Sequence, residues 1–143
     1  MSVISPIYPV LSLATLGGSV RSAGHEVELL DLSYIPYDPK FVWSTIERVK
    51  PDVVGITALT PAVNQLIDMS FLIKELAESI IVIGGGPHAS SLPLETMKQS
   101  SLDGIVVGEG DFSFVEICDG RQFQEINGLH FRDGSEIKFT GHR

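Results

Sequence analysis

The sequence is poor in the features that most often announce a chemistry. It has one cysteine in 143 residues, Cys118, which excludes an internal disulfide and any zinc or cluster site made from cysteines of this chain alone. Positive charge is scarce too: 10 Lys and Arg against 18 Asp and Glu leave a formal net charge of −8. No basic stripe of the kind that phosphate backbones need is visible, so nucleic acid is not an expected partner. No apolar run approaches the roughly 18 residues that would suggest a membrane span. The opening MSVISPIYPV has no basic residue ahead of its apolar stretch, which argues against a secretory signal. A soluble protein with a cytoplasmic location and no membrane partner is expected. Neither a GxGxxG fingerprint nor a Walker pattern is present, so a nicotinamide or ATP site has weak support.

What is there is periodic. Short apolar runs begin at Val27, Val53, Ile80 and Gly104, spaced by 26, 27 and 24 residues. Each interval has room for a crossover helix, which predicts a βα repeat and a parallel sheet. Val3-Ile4-Ser5 reads as an unusually short first strand, with Pro6 and Pro9 in the loop after it. Helices are predicted over about Val10–Ala23, with Gly24 as its stop, then from about Val42 to Val49, Pro61–Glu78, Pro93–Gln99 and Asp111–Cys118. Gly17 and Gly18 lower the propensity of the first helix, and close packing on the sheet is the reading for them. Tyr34–Pro39 reads as a proline-bounded loop, and Trp43 as a partly exposed residue. The stripe Ala62, Leu66, Met69, Ile73 and Leu76 is a core face. Cys118, with no base near it in sequence, reads as a small buried hydrophobe.

After about Asp119 the pattern changes. Leu129, Phe131, Ile137 and Phe139 alternate with polar residues around Asp133-Gly134, the signature of a β-hairpin. A three-residue turn with Gly134 in the left-handed region would set Leu129 opposite Ile137 and make one face apolar. The expected organisation is an α/β domain over 1–120 and a hairpin over 121–143.

The chain is organised around Ile80–Ser91, IIVIGGGPHASS. Its apolar start fits a strand buried on both faces, and three glycines then let the backbone turn sharply and approach a ligand closely. In an open α/β sheet, ligands bind beyond the carboxyl ends of the strands. The loops expected at that edge are Ser5-Pro6, Thr57-Ala58-Leu59-Thr60, Gly84-Gly85-Gly86-Pro87-His88 and Gly108-Glu109-Gly110. Their small, neutral chemistry suits a large ligand held by backbone and shape better than a catalytic centre of convergent acids and bases, and no catalytic or metal-ligating residue is assigned. The simpler reading of the glycine run is a tight βα turn without a ligand. His88 is well placed as a proton carrier or ligand but reads more simply as a hydrogen-bonding loop residue. Glu109 could accept a ligand's hydrogen bond or only complement the helix after it. Asp31 ends the second strand where a dinucleotide fold keeps a ribose acid, yet without the glycine fingerprint it reads as a capping residue.

In order, SLATLGGSVRSAGHEVELLDL, KPDVVGITALTPAVNQ, IIVIGGGPHASSLP, DGIVVGEGDFSF and INGLHFRDG resemble the N-terminal cobalamin (vitamin B12)-binding domain of cobalamin-dependent radical S-adenosylmethionine (radical SAM) enzymes, the Fe-S oxidoreductase family. The resemblance covers nearly the whole chain. It implies a flavodoxin-like (Rossmann-like), doubly wound, five-stranded parallel sheet of order 2-1-3-4-5, with the hairpin at its end. It also implies that Thr57-Ala58-Leu59 stands for a Ser-x-Leu motif, and Gly84-Gly85 or Gly85-Gly86 for a Gly-Gly motif. The DxHxxG motif is absent, since residues 5–11 hold neither Asp nor His, so any cobalamin would lack a His ligand from the first loop. The family's GEGE appears as Gly108-Glu109-Gly110-Asp111. The CxxxCxxC cluster motif is missing, which implies that the 4Fe-4S cluster and S-adenosylmethionine belong to a radical SAM domain in cis, outside this sequence. On this resemblance the chain is a module that presents the corrin to a separate catalytic barrel of an oxidoreductase or methyltransferase, and is not itself catalytic. The alternative is a degenerate flavodoxin-like domain with an interaction or substrate-positioning role and no cofactor, which predicts side chains closing the space over Gly84–Gly86. A phospho-receiver is disfavoured because Thr57 stands where the phosphorylated Asp would be, and a flavodoxin because the first loop lacks a hydroxyl-rich phosphate cradle.

Overall fold

A computed structural model of the chain describes residues 2–7, 10–32 and 36–143, with side chains from residue 13 onward. The first two residues of the predicted Tyr34–Pro39 loop, and Pro9 in the loop predicted after the first strand, lie outside the described residues. The elements in chain order are β1 (Ser2–Ile7), α1 (Val10–Ser22), β2 (Glu28–Asp31), α2 (Pro39–Val49), β3 (Val53–Ala58), α3 (Val63–Leu76), β4 (Ile81–Gly85), α4 (Pro87–Ser91), α5 (Pro93–Gln99), β5 (Gly104–Val106), α6 (Asp111–Cys118), β6 (Leu129–Asp133) and β7 (Glu136–Phe139). One sheet holds all seven strands, in the order β2-β1-β3-β4-β5-β6-β7. Its first five members run parallel and β6 and β7 are antiparallel. The architecture is an α/β sheet of mixed direction, longer by a hairpin than its parallel part.

The first strand is not short. It continues through Ser5 and Pro6 to Ile7, so those two residues belong to β1 and not to the loop after it, a correction to the sequence reading. Pro6 has no N–H to give to a ladder, and the β1–β3 register shifts between Ile4 and Ile7.

Strand alternation sends side chains to two cores. Val54, Ile56, Val82 and Ile105 pack with the buried faces of α2, α3 and α5, through Val42, Ile46, Leu66, Met69, Ile73 and Met97. Val53, Ile83 and Val106 pack on the other side with Leu13 and Val20 of α1 and Phe114 and Ile117 of α6. Glycine permits the close approaches this requires. A Cβ on Gly17 would lie 2.7 Å from Leu29 Cδ2, and one on Gly55 would lie 2.7 Å from the Phe114 ring. Gly18 has nothing within 4 Å, so the packing role belongs to Gly17 alone. Trp43 is half-buried. Cys118 donates its thiol proton to the Phe114 carbonyl at 2.9 Å, and burial pushes its pKa up to about 12, the state of an inert packed thiol.

The hairpin register differs from the expected one. His130 faces Phe139, Arg132 faces Ile137 and Asp133 faces Glu136, closing a two-residue loop at Gly134-Ser135. Gly134 takes φ +62 and Ser135 does not share that sign, the pattern of a Gly-first two-residue loop whose twist suits the strands. Leu129 therefore does not oppose Ile137. Leu129 and Phe131 enter the core beneath α1 and α6, while Ile137 packs against the opposite one. The hairpin has no single apolar face because it is part of the sheet, with its apolar side chains divided between the two cores.

Candidate functional site

At the carboxyl ends of the parallel strands the two sides of the sheet diverge. The α4–α5 side is filled: a Cβ on Gly84 would lie 2.7 Å from Leu102 Cδ1 and 3.4 Å from Ile105 Cγ1. On the α1–α6 side a cleft of about 760 Å³ opens between the first turns of the two helices. Its floor is the strand ends. Gly55, Thr57, Ile83 and Gly85 project to this side, with Gly55 paired to Ile83 and Thr57 to Gly85. Among the described residues a Cβ on Gly85 would meet only the Val106 carbonyl oxygen, at 4.0 Å, so they leave the space above it open.

The third glycine has a different task. Gly86 takes φ +97, and a Cβ there would lie 2.7 Å from the Ala58 carbonyl oxygen and 2.8 Å from Thr57 Oγ1. Only glycine lets the chain leave β4 in that direction so close to the loop after β3. Pro87 then opens α4 at a position where its missing N–H costs nothing. Two contacts hold neighbouring loops together: the Gly108 N–H donates to Ser90 Oγ at 3.1 Å, and His88 Nδ1 lies 3.4 Å from Thr60 Oγ1.

Of the residues singled out in the sequence, Thr57, Leu59, Gly84, Gly85, Gly86, Pro87, Gly108, Glu109 and Gly110 line this cleft. Ala58 is buried behind it. Thr60 and His88 pair with each other outside the lining. Ser5 and Pro6 lie in β1, and their side chains are outside the described residues. The sequence reading missed the walls: Leu13 and Leu16 from α1, Ile83 and Val106 from the strands, and Phe114 from α6. One signal was available, since a glycine inside the buried run VVGITA marks a close approach, here of the Phe114 ring. At the far end of the helix pair, His25 Nε2 lies 2.7 Å from Asp119 Oδ1, joining the residues that follow α1 to the end of α6. Among the described residues no group of three or more His, Cys, Asp or Glu could hold a metal ion.

A small, neutral floor, apolar walls and three loops held edge to edge can enclose part of a large ligand, but they offer no acid–base pair. Comparison with known proteins gives that ligand's class. The profile of the B12 binding domain matches residues 1–117. The chain belongs to the B12-binding domain family. It is 31% identical over 141 residues to an uncharacterized methyltransferase of Pyrococcus horikoshii, covering 95% of this chain and 30% of that protein. Over 140 residues it is 25% identical to the cobalamin-dependent radical SAM methyltransferase TokK of Streptomyces tokunonensis, covering 90% of this chain and 20% of TokK. The fold matches that of the radical S-adenosylmethionine methyltransferase TsrM from Kitasatospora setae with a TM-score of 0.85 at 21% identity, covering 98% of this chain and 29% of TsrM. This B12-binding chain thus spans less than a third of the length of each of these relatives.

The residues present fit cobalamin. The corrin carries side amides, which neutral loop groups can meet, and a nucleotide tail, which needs a slot unobstructed by side chains. The space over Gly85, open among the described residues, meets that requirement.

Proposed function

We propose that this B12-binding chain holds cobalamin with the nucleotide tail in the cleft between α1 and α6, and presents the corrin at the carboxyl edge of a flavodoxin-like sheet. The observation that carries the proposal is the space that the described residues leave over Gly85: a lining position with room for a Cβ, between glycines whose own neighbours leave none. The alternative without a cofactor predicted side chains closing that space, and the observed opening argues against it. Thr57, Leu59, Gly84–Gly86 and Pro87 would form the floor and near wall, Gly108–Gly110 the far rim. Ala58, Thr60 and His88 would act from behind, by fixing the loops. Ser5 and Pro6 are proposed to contribute through the β1 backbone. Cobalamin, when bound, supplies the organometallic chemistry; the chain binds it, orients it and shields its tail from water.

Among the longer proteins to which the chain is similar, TokK is a cobalamin-dependent radical SAM methyltransferase. By that likeness the chain is a domain of residues 1–120 plus a hairpin leading towards a radical SAM domain in cis, which would hold the 4Fe-4S cluster and S-adenosylmethionine. The partner reactions belong to that domain. Among the described residues no helix is long and apolar enough to cross a membrane, and a cytoplasmic setting agrees with the reactivity of such clusters.

Reconstitution with hydroxocobalamin followed by gel filtration tests the binding. Corrin absorbance co-eluting with the chain at close to one equivalent is the expected result. Its absence at every concentration tried would remove the proposal.

A further inference from the structure

The cleft is graded in polarity from its mouth to its inner end. Leu13, Ile83, Val106 and Phe114 form the inner wall, and each is at most 4% exposed. Among the described residues the polar side chains that line it, Thr15, Thr57, Glu109 and Asp111, are half-buried or exposed, and Thr57 stands on the floor at the strand end, towards the mouth. The inner floor offers little in their place, because its backbone lies in the ladders that pair Gly55 with Ile83 and Ile83 with Gly104. A group that reaches the inner end must leave its hydrogen bonds to water behind, and a flat apolar ring loses least by doing so.

We infer that this inner wall selects among corrinoids by the base of the nucleotide tail, accepting a fused apolar base such as dimethylbenzimidazole and disfavouring adenine. The inference rests on the tail-in-cleft reading above. Both bases are bicyclic and of similar thickness, so shape alone separates them poorly. Adenine, however, carries an exocyclic amine and extra ring nitrogens that would be buried against Leu13, Val106 and Phe114 without partners. Phe114 is central to the wall. Its ring is seated against Gly55 so closely that a Cβ there would displace it, which fixes one flat apolar surface along the slot.

Equilibrium titration of the 143-residue chain with three corrinoids tests this: hydroxocobalamin, its counterpart with adenine as the lower base, and cobinamide, which has no base. Retention of corrin absorbance is the readout. The expected order is cobalamin first, with the adenine form weaker by about fivefold or more, and cobinamide weaker than cobalamin. A smaller ratio between the two complete corrinoids, with both still binding, overturns the selection and leaves the cobalamin proposal standing. Failure of all three to bind removes both. Val106→Thr then locates the effect, because it places a hydroxyl in the wall at nearly constant volume. The adenine penalty should shrink by about threefold or more in a chain whose unfolding temperature shows that it still folds. An unchanged penalty in that folded chain takes the selectivity away from this wall, and a Val106→Thr chain that does not fold leaves the decision to the three-corrinoid series.

Discussion

Gly84 and Gly85 are neighbours on one strand, and they face opposite sides of the same sheet. On the Gly84 side the core runs without a gap to the strand ends, where Leu102 and Ile105 occupy the place of the missing side chain. On the Gly85 side the core of Leu13, Ile83, Val106 and Phe114 stops one residue earlier, and no described side chain occupies the position of the missing one. One glycine is therefore a packing residue and the other leaves the opening proposed for the ligand, although composition and spacing treat them alike. A single residue step along a strand separates stability from ligand access, because successive positions alternate between faces.

The comparison can be broken most directly at Gly85. Gly85→Leu places a side chain in the slot while the strand before it keeps its packing, so cobalamin affinity should fall by about a hundredfold, near 2.7 kcal/mol, with little loss of stability. Parallel titration and thermal unfolding check this, and unchanged affinity in a well-folded variant would remove the loop from the site. The converse substitution sharpens the contrast. Gly84→Val should cost about 1–3 kcal/mol through overpacking against Leu102 and Ile105, while the folded fraction binds cobalamin nearly as well as the parent; denaturant unfolding with corrin retention reads both.

The smallest effect is expected at the far margin of the filled side. His130 faces Ile105 across the ladder, stacks on Phe139 with ring centroids 4.2 Å apart, and its buried Nδ1 has no hydrogen-bond partner among the described residues. Burial, helped by His142, holds its pKa below the ordinary 6.5. The unfolded chain then takes up the proton more readily, so the contribution of His130 is complete above the ordinary imidazole range and is lost as pH falls through it. His130→Phe, which keeps a ring against Phe139, should flatten the fall in stability between about pH 7.5 and 5.5. An identical pH profile for parent and variant would contradict the assignment.

Much of the frame was legible because it rests on local signals. Buried strands of β-branched residues recur at helix-length spacing, and α5 and α6 have the bounds that Pro93, Gln99, Asp111 and Cys118 suggested. The short helix Pro87–Ser91 was not read, since five residues hold too little periodicity to register. β1 was read too short because Pro6 looks like a terminator in sequence, whereas a register shift accommodates it. The hairpin register failed for another reason: the prediction asked for one apolar face, and the strands lie in a sheet with two cores. The floor of the cleft could be read from its glycines and small residues. Its walls could not, because Leu13 and Phe114 are ordinary core residues in sequence and become lining only through the placement of α1 and α6.

The hairpin also settles what the sheet shows to its surroundings. β5 has three residues, and without β6 its outer row of N–H and C=O groups would be a template for any passing extended chain. The added strands move that margin outward to β7, where Glu136 and Lys138 are exposed and Lys138 is paired with Asp133. At the opposite margin β2 carries Glu28, paired with Arg48, and ends in Asp31. Both borders of the sheet are thus electrically marked, and a second copy arriving edge-on would have to strip water from fixed charges before any backbone pairing began.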